Sequence, residues 1–207
     1  MDAALRHDRD DAQHEDHFVQ LRDVTWEDYK RVLAMRGDHS APRIAYADGC
    51  LQIMRPSREH EAIKSLIGCL IEVYCLERGI DFSKFGSWTL ERKPKRKALE
   101  PDECYVFGPA ATITSKQRAP KRPDLAIEVV WTAGGLSKLD IYRALGVREV
   151  WFWRKGVITP HVLRGDDYAD VDASEVLPGI DLALLASFLD LSPMSAAIRA
   201  YRDALRT

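Results

Sequence analysis

A chain of 207 residues with 46% hydrophobic content can build one substantial core, or at most two small ones. The formal net charge of -2 excludes neither nucleic-acid nor protein partners, because the placement of charge matters more than its sum. No apolar run approaches the roughly 18 residues that cross a bilayer, and the N-terminus carries no apolar signal-peptide core, so a cytoplasmic protein with no membrane partner is expected.

Met1 to about His17 is rich in Asp, Arg, His and Gln and has almost nothing to bury. It reads as a disordered polar tail ahead of a single domain over residues 18–207. "TWEDYKRVLAMRG" predicts a helix, with Thr25 as N-cap, Asp28 in the first turn and Gly37 as the stop. "RIAYADGCLQIM" is two short strands around Asp48-Gly49, a hairpin signal because such a turn needs positive φ. In "SREHEAIKSLIGCLIEVYCLERG" the residues Ile63, Leu66, Ile67, Leu70, Ile71 and Tyr74 form one helical stripe that ends at Gly79.

Strand-like runs follow at Ile80–Phe85, Ser87–Glu91, Asp102–Phe107 and Leu125–Trp131. "LSKLDIYRALGV" predicts a helix after Gly134-Gly135, and "REVWFWRKG" with "VITPHVLRG" a second hairpin about Lys155-Gly156. "LALLASFL" and "SAAIRAYRDALR" are two final helices. Strands alternating with helices, without repeats or a long linker, point to one α/β domain. The WFW strand and the last helix serve equally as core or as a homodimer interface. Cys50, Cys69, Cys75 and Cys104 have no C-x-x-C spacing, which argues against a zinc or redox site and for reduced thiols.

"KRPDLAIEVVW" (121–131) poses the chemical question. Asp124, Ala126, Glu128 and Val130 share one face of this strand, and charged residues are rarely buried unless paired or used. Asp124 and Glu128 lie roughly 13 Å apart along it, too far to share one ion. A second Pro-Asp, in "LEPDECYVF", offers Asp102 as the partner of Glu128 if the two strands pair. Two carboxylates in contact repel unless a cation or proton lies between them, and Mg²⁺ accepts such a pair. The residues alone equally allow two strand-start Pro-Asp turns and a Glu bound to an arginine.

Lys138, ten residues after Glu128, can fold back toward the end of the acidic strand and place a cation where a phosphodiester would react. Taken alone, a lysine in a first helical turn is usually solvated. Basic clusters, "ERKPKRK" (91–97) and "SKQRAPKR" (115–122), flank the Asp102 strand as proline-interrupted loops, expected to be mobile and to follow phosphates.

Together these stretches resemble the Uma-type restriction endonuclease family, a branch of the PD-(D/E)XK nuclease superfamily. The resemblance runs from about Val19 to Leu189, through "ADGCLQIMRPSREHEAI", "EPDECYVFG", "RPDLAIEVVW", "SKLDIYRALGVREVWFW" and "LPGIDLALLASFL" in the family's order. It implies a restriction-endonuclease-like core, a mixed central β-sheet flanked by helices. It also implies a Mg²⁺ (or Mn²⁺) site at which a metal-activated water hydrolyses DNA. Asp102 matches the first acid and Glu128 the (D/E) of the motif, both as metal ligands. Val130 stands where the superfamily's lysine would be, and Lys138 takes that role from the following helix. His60 matches a position where relatives often carry His, and is a candidate for the catalytic set as well as for a capping or packed histidine. The stretch after Glu128, "VVWTAGGLSK", departs from the pattern common in relatives. The competing reading is an inactive nuclease fold that serves as a nucleic-acid-binding or protein-interaction module.

Overall fold

Antiparallel hairpins and a helical crossover organise the chain, which this computed structural model describes at residues 16–86, 88–112, 120–131 and 135–207. Residues 1–15 of the expected tail, most of the 115–122 basic run and Gly134 lie outside the described residues. Asp16 and His17 do not belong to a tail. Asp16 is buried, and β1 (His17–Leu21) pairs antiparallel along β3 (Cys50–Arg55), so the domain begins earlier than its composition suggests. β1 carries no apolar alternation to announce it, because an edge strand with one ladder and an exposed face needs none.

Helix α1 (Trp26–Arg36) starts on a capping box between Thr25 and Asp28 and ends at Gly37. β2 (Arg43–Ala47) then turns into β3 through Asp48 and Gly49, with φ of 48° and 89°. Two successive positive φ values give a tight turn whose twist matches its strands. Helix α2 (Arg58–Arg78) is capped by the Ser57 hydroxyl and closed by Gly79 at φ 64°.

The next expected strands appear as β4 (Phe82–Phe85), β5 (Leu90–Arg92) and β7 (Glu103–Phe107), with an unanticipated β6 (Lys97–Leu99) between the last two. The basic run 91–97 is therefore a hairpin of a sheet and not a mobile loop: β5 pairs with β6, and Lys93–Lys95 form the turn. β8 (Leu125–Val129), helix α3 (Lys138–Leu145) and β9 (Glu149–Arg154) make a parallel crossover. Lys155 and Gly156, again both at positive φ, turn β9 into β10 (Val157–Arg164), and β11 (Asp167–Asp170) pairs beside it. Helices α4 (Leu182–Ser187) and α5 (Met194–Ala204) complete the chain.

The strands form two sheets, a five-stranded antiparallel one in the order β1-β3-β2-β6-β5 and a six-stranded mixed one in the order β11-β10-β9-β8-β7-β4. The second is the mixed central sheet that was expected. On one face Leu125, Ile127, Val129 and Trp151 pack against Leu66, Ile67, Leu70 and Ile71 of α2, with Leu185 and Tyr201 from α4 and α5. Each fully buried aliphatic side chain there contributes about 1.5–3 kcal/mol. On the other face Ala126 and Val150 meet Ile141 and Tyr142 of α3, together with Ala45, Leu90 and Leu99 of the five-stranded sheet. Trp151 and Trp153 of the WFW strand and Tyr201 of the last helix are buried in the core of this chain. All four cysteines are free thiols, and among the described residues no helix is long and apolar enough to cross a membrane.

Candidate active site

Asp102, Glu128, Lys138 and His60 come from four separate places in the chain, and the fold brings them together. Glu103 faces Ile127 across the antiparallel β7–β8 pair, so one further step sets Asp102 opposite Glu128 with both side chains on the same side. Asp102 Oδ2 accepts the Val129 amide at 2.8 Å, and both carboxylates are fully buried. Asp124 lies at the other end of β8, where its Oδ2 accepts the Phe107 amide at 2.9 Å and finishes the ladder.

Lys138 is the first residue of α3. Its ammonium donates to Glu128 Oε2, and the Tyr142 hydroxyl, one helical turn on, donates to Oε1. The approach to α3 explains this reach. Gly135 has φ of 94°, and a Cβ placed there would stand 2.5 Å from Gln52 Oε1, which also accepts the Leu136 amide at 2.9 Å. That close passage over β3 brings the helix start back to the end of β8, and Val130 needs no charge of its own.

Three further side chains surround Asp102. Arg43 Nε lies 3.2 Å from its Oδ1, while the same guanidinium donates to the Pro101 carbonyl and reaches Glu61 at 3.5 Å. His60 Nε2 lies 3.0 Å from Asp102 Oδ2, and His60 Nδ1 lies 2.9 Å from Asp16 Oδ2. With His60 protonated, Arg43, His60 and Lys138 balance Asp16, Asp102 and Glu128. A buried group of this kind persists only when its charges compensate.

The charges move one another's proton affinities. Burial disfavours the Asp102 carboxylate, but Lys138, Arg43 and His60 outweigh it and hold the carboxyl well below its usual range. Burial raises the Glu128 carboxyl, and the negative charge of Asp102 adds to this against the pull of Lys138. Burial also opposes an imidazolium at His60, yet Asp102 and Asp16 together push its pKa up to about 9. Because that value is above the ordinary 6.5, the stabilising contribution is complete below pH 6.5 and is lost as pH rises through 9. In metal-free protein the urea midpoint should therefore fall between pH 6.5 and 9.5, and His60→Gln should flatten the decline. A wild-type midpoint that stays level or rises across this window would count against a charged His60.

The donor set suits a hard divalent cation. The Asp102 oxygens are buried and meet Arg43 Nε and His60 Nε2 as ion-pair contacts at 3.2 and 3.0 Å, outside hydrogen-bond geometry. Among the described residues no cluster of three or more His, Cys, Asp and Glu side chains is placed to hold a metal, and Asp102 with Glu128 make a two-carboxylate set. Mg²⁺ is commonly held by one or two carboxylates and keeps its remaining positions for water and phosphate oxygens.

Comparison with known proteins bears on the same region. The Uma2 family, described as "Putative restriction endonuclease", matches residues 26–193. The chain belongs to the Uma2 family. Asp102, Glu128, Lys138 and His60 all fall within the matched span, whereas Asp16 precedes it. Among solved structures, the chain is similar to a putative nuclease belonging to DUF820 from Anabaena variabilis, at 15% identity and a TM-score of 0.49, over 82% of this chain and 96% of that one. None of the curated proteins matches it.

Three neighbours of this Uma2 site escaped sequence reasoning. Tyr142 carried a usable signal, since it follows Lys138 by four residues and so shares its helix face. Arg43 opens an ordinary strand, and Asp16 ends a run of polar residues in the sequence. Neither has a local pattern, because what each meets is set by pairing across the fold.

Proposed function

We propose that this Uma2 protein is a metal-dependent endonuclease acting on phosphodiester bonds, with DNA as its substrate. The observation that carries the reading is the convergence of the Lys138 ammonium on Glu128, beside Asp102, at the buried end of the β7–β8 pair. Asp102 and Glu128 would hold Mg²⁺ or Mn²⁺, which when bound supplies Lewis acidity toward the phosphate and lowers the pKa of water. Lys138 then contributes a fixed positive charge where the phosphate gains negative charge. Tyr142 holds Glu128 in register, and His60 and Arg43 hold Asp102. A cavity of about 570 Å³, lined by Lys138, Gln52, Phe152, Arg154 and His161, gives a polyanion access to that lysine. Exposed Arg92, Lys95 and Arg96 on the β5–β6 hairpin add positive charge for phosphate contacts.

The test compares purified wild type with Glu128→Ala on plasmid, single-stranded DNA and RNA, each with Mn²⁺ and with EDTA. Wild type should cut DNA only with the metal, and the variant should bind DNA in Ca²⁺ with steep salt dependence but not cut it. Salt-sensitive binding without metal-dependent cleavage by wild type would make this a binding module instead. Equal nicking by both proteins would expose a contaminant and defeat the enzyme reading.

A further inference from the structure

Asp16 lies outside the span that matches the family, directly ahead of the edge strand β1. β1 is an edge strand whose side chains are mostly exposed, Val19 at 59% and Leu21 at 44%. Yet Asp16 itself is buried, with its side chain 5% exposed. Both of its oxygens are engaged: Oδ1 accepts the Ser57 amide at 2.8 Å and Oδ2 meets His60 Nδ1 at 2.9 Å. The opposite ring nitrogen of His60 faces Asp102 Oδ2 at 3.0 Å. His60 thus lies between two carboxylates, clamped at its own amide by the Ser57 hydroxyl at 3.1 Å.

The consequence falls on Asp102. Its Oδ2 carries the Val129 amide and the His60 contact, whereas Oδ1 lies 3.2 Å from Arg43 Nε. Carboxylate ligands are oriented by such outer contacts, and removing one typically weakens metal affinity by about 10- to 100-fold. We propose that Asp16 is a positioning residue, which through His60 fixes the orientation of the Asp102 carboxylate as a ligand for a divalent cation. This rests on the metal-site reading above. It assigns a role to Asp16, which completes the support of a site whose other members all lie within the family span. Asp16 acts on Asp102 through His60, which stands between the two carboxylates.

A double-mutant cycle read by Mn²⁺ binding tests the proposal, since coupled residues give non-additive effects. Calorimetric titration of wild type, Asp16→Ala, His60→Ala and the double variant is done well below every melting temperature. Asp16→Ala should lose about 10- to 100-fold in Mn²⁺ affinity. The same change in the His60→Ala background should cost almost nothing more, and Asp16→Glu should recover part of the loss. In metal-free wild type, proton NMR should show two protected ring N–H signals for His60, of which Asp16→Ala removes the Nδ1 one. A purely structural Asp16 would lower the melting temperature while leaving Mn²⁺ affinity unchanged, and that result overturns the proposal. Additive losses in the cycle overturn it too. Absence of Mn²⁺ binding by wild type would instead bring down the metal-site reading, and the positioning role with it.

Discussion

Lys138→Ala should lower the single-turnover cleavage rate at saturating Mn²⁺ by about 10²–10³-fold, the usual cost of removing one preorganised charge from a reacting centre. The Lys138 ammonium contacts Glu128 Oε2 directly and is close enough to Asp102 to shift its proton affinity. On the proposed reading, a divalent ion would have to compete with this ammonium for Glu128. Mn²⁺ affinity of the variant should accordingly hold or tighten while the rate collapses. That split separates a residue acting on the reacting phosphate from one that merely holds the site together. Glu128 has a raised proton affinity and retains the Tyr142 hydroxyl, so it can take up a proton when the lysine is gone and the fold should survive. Lys138→Arg should recover little, because a planar fork cannot occupy the position of a compact ammonium. Cleavage within a few-fold of wild type would remove Lys138 from the mechanism.

Arg43→Ala should be the most damaging of the site substitutions for stability, at about 3–5 kcal/mol, because it leaves a buried carboxylate uncompensated. The guanidinium is 8% exposed, and it serves Asp102, Glu61 and the Pro101 carbonyl at once. For a chain of this length the loss corresponds to a fall of about 6–20 °C in melting temperature. Mn²⁺ offers a check on the cause, since a ligand that binds only the folded state stabilises by mass action. If the loss comes from the unpaired charge of Asp102, excess Mn²⁺ should raise the variant's melting temperature by more than it raises that of wild type. Equal metal-induced shifts would place the damage in packing around the arginine stem.

Much of the fold was readable from local pattern. The stripe from Ile63 to Tyr74 faces the sheet as its spacing requires, and the two turns at Asp48-Gly49 and Lys155-Gly156 form where positive φ is tolerated. The alternation in Leu125–Val129 assigned Ala126 and Glu128 to one face and the aliphatic residues to the other, and the structure keeps that division. The acids and the lysine were legible for the same reason. A carboxylate in the middle of a buried strand is conspicuous, and Lys138 stands at a marked helix start.

The five-stranded sheet was only half legible. Its β2–β3 hairpin announces itself, but β1 shows no apolar alternation and β6 is short, and they are strands because a neighbour with free backbone groups lies beside them. The same holds within the site. Chain chemistry by itself determined which residues are too costly to bury without a purpose: Asp102, Glu128 and a helix-start lysine. Only the tertiary structure decided what compensates them, by setting Asp16 and His60 on one side of Asp102 and Arg43 on the other. Those partners lie 44 and 59 residues from the groups they serve, as in His60 with Asp16 and Arg43 with Asp102. Burial energy is a property of a residue and its near neighbours, and it shows in the sequence. Charge compensation depends on which distant segments are brought within a few Å, and that is fixed by sheet pairing and helix packing.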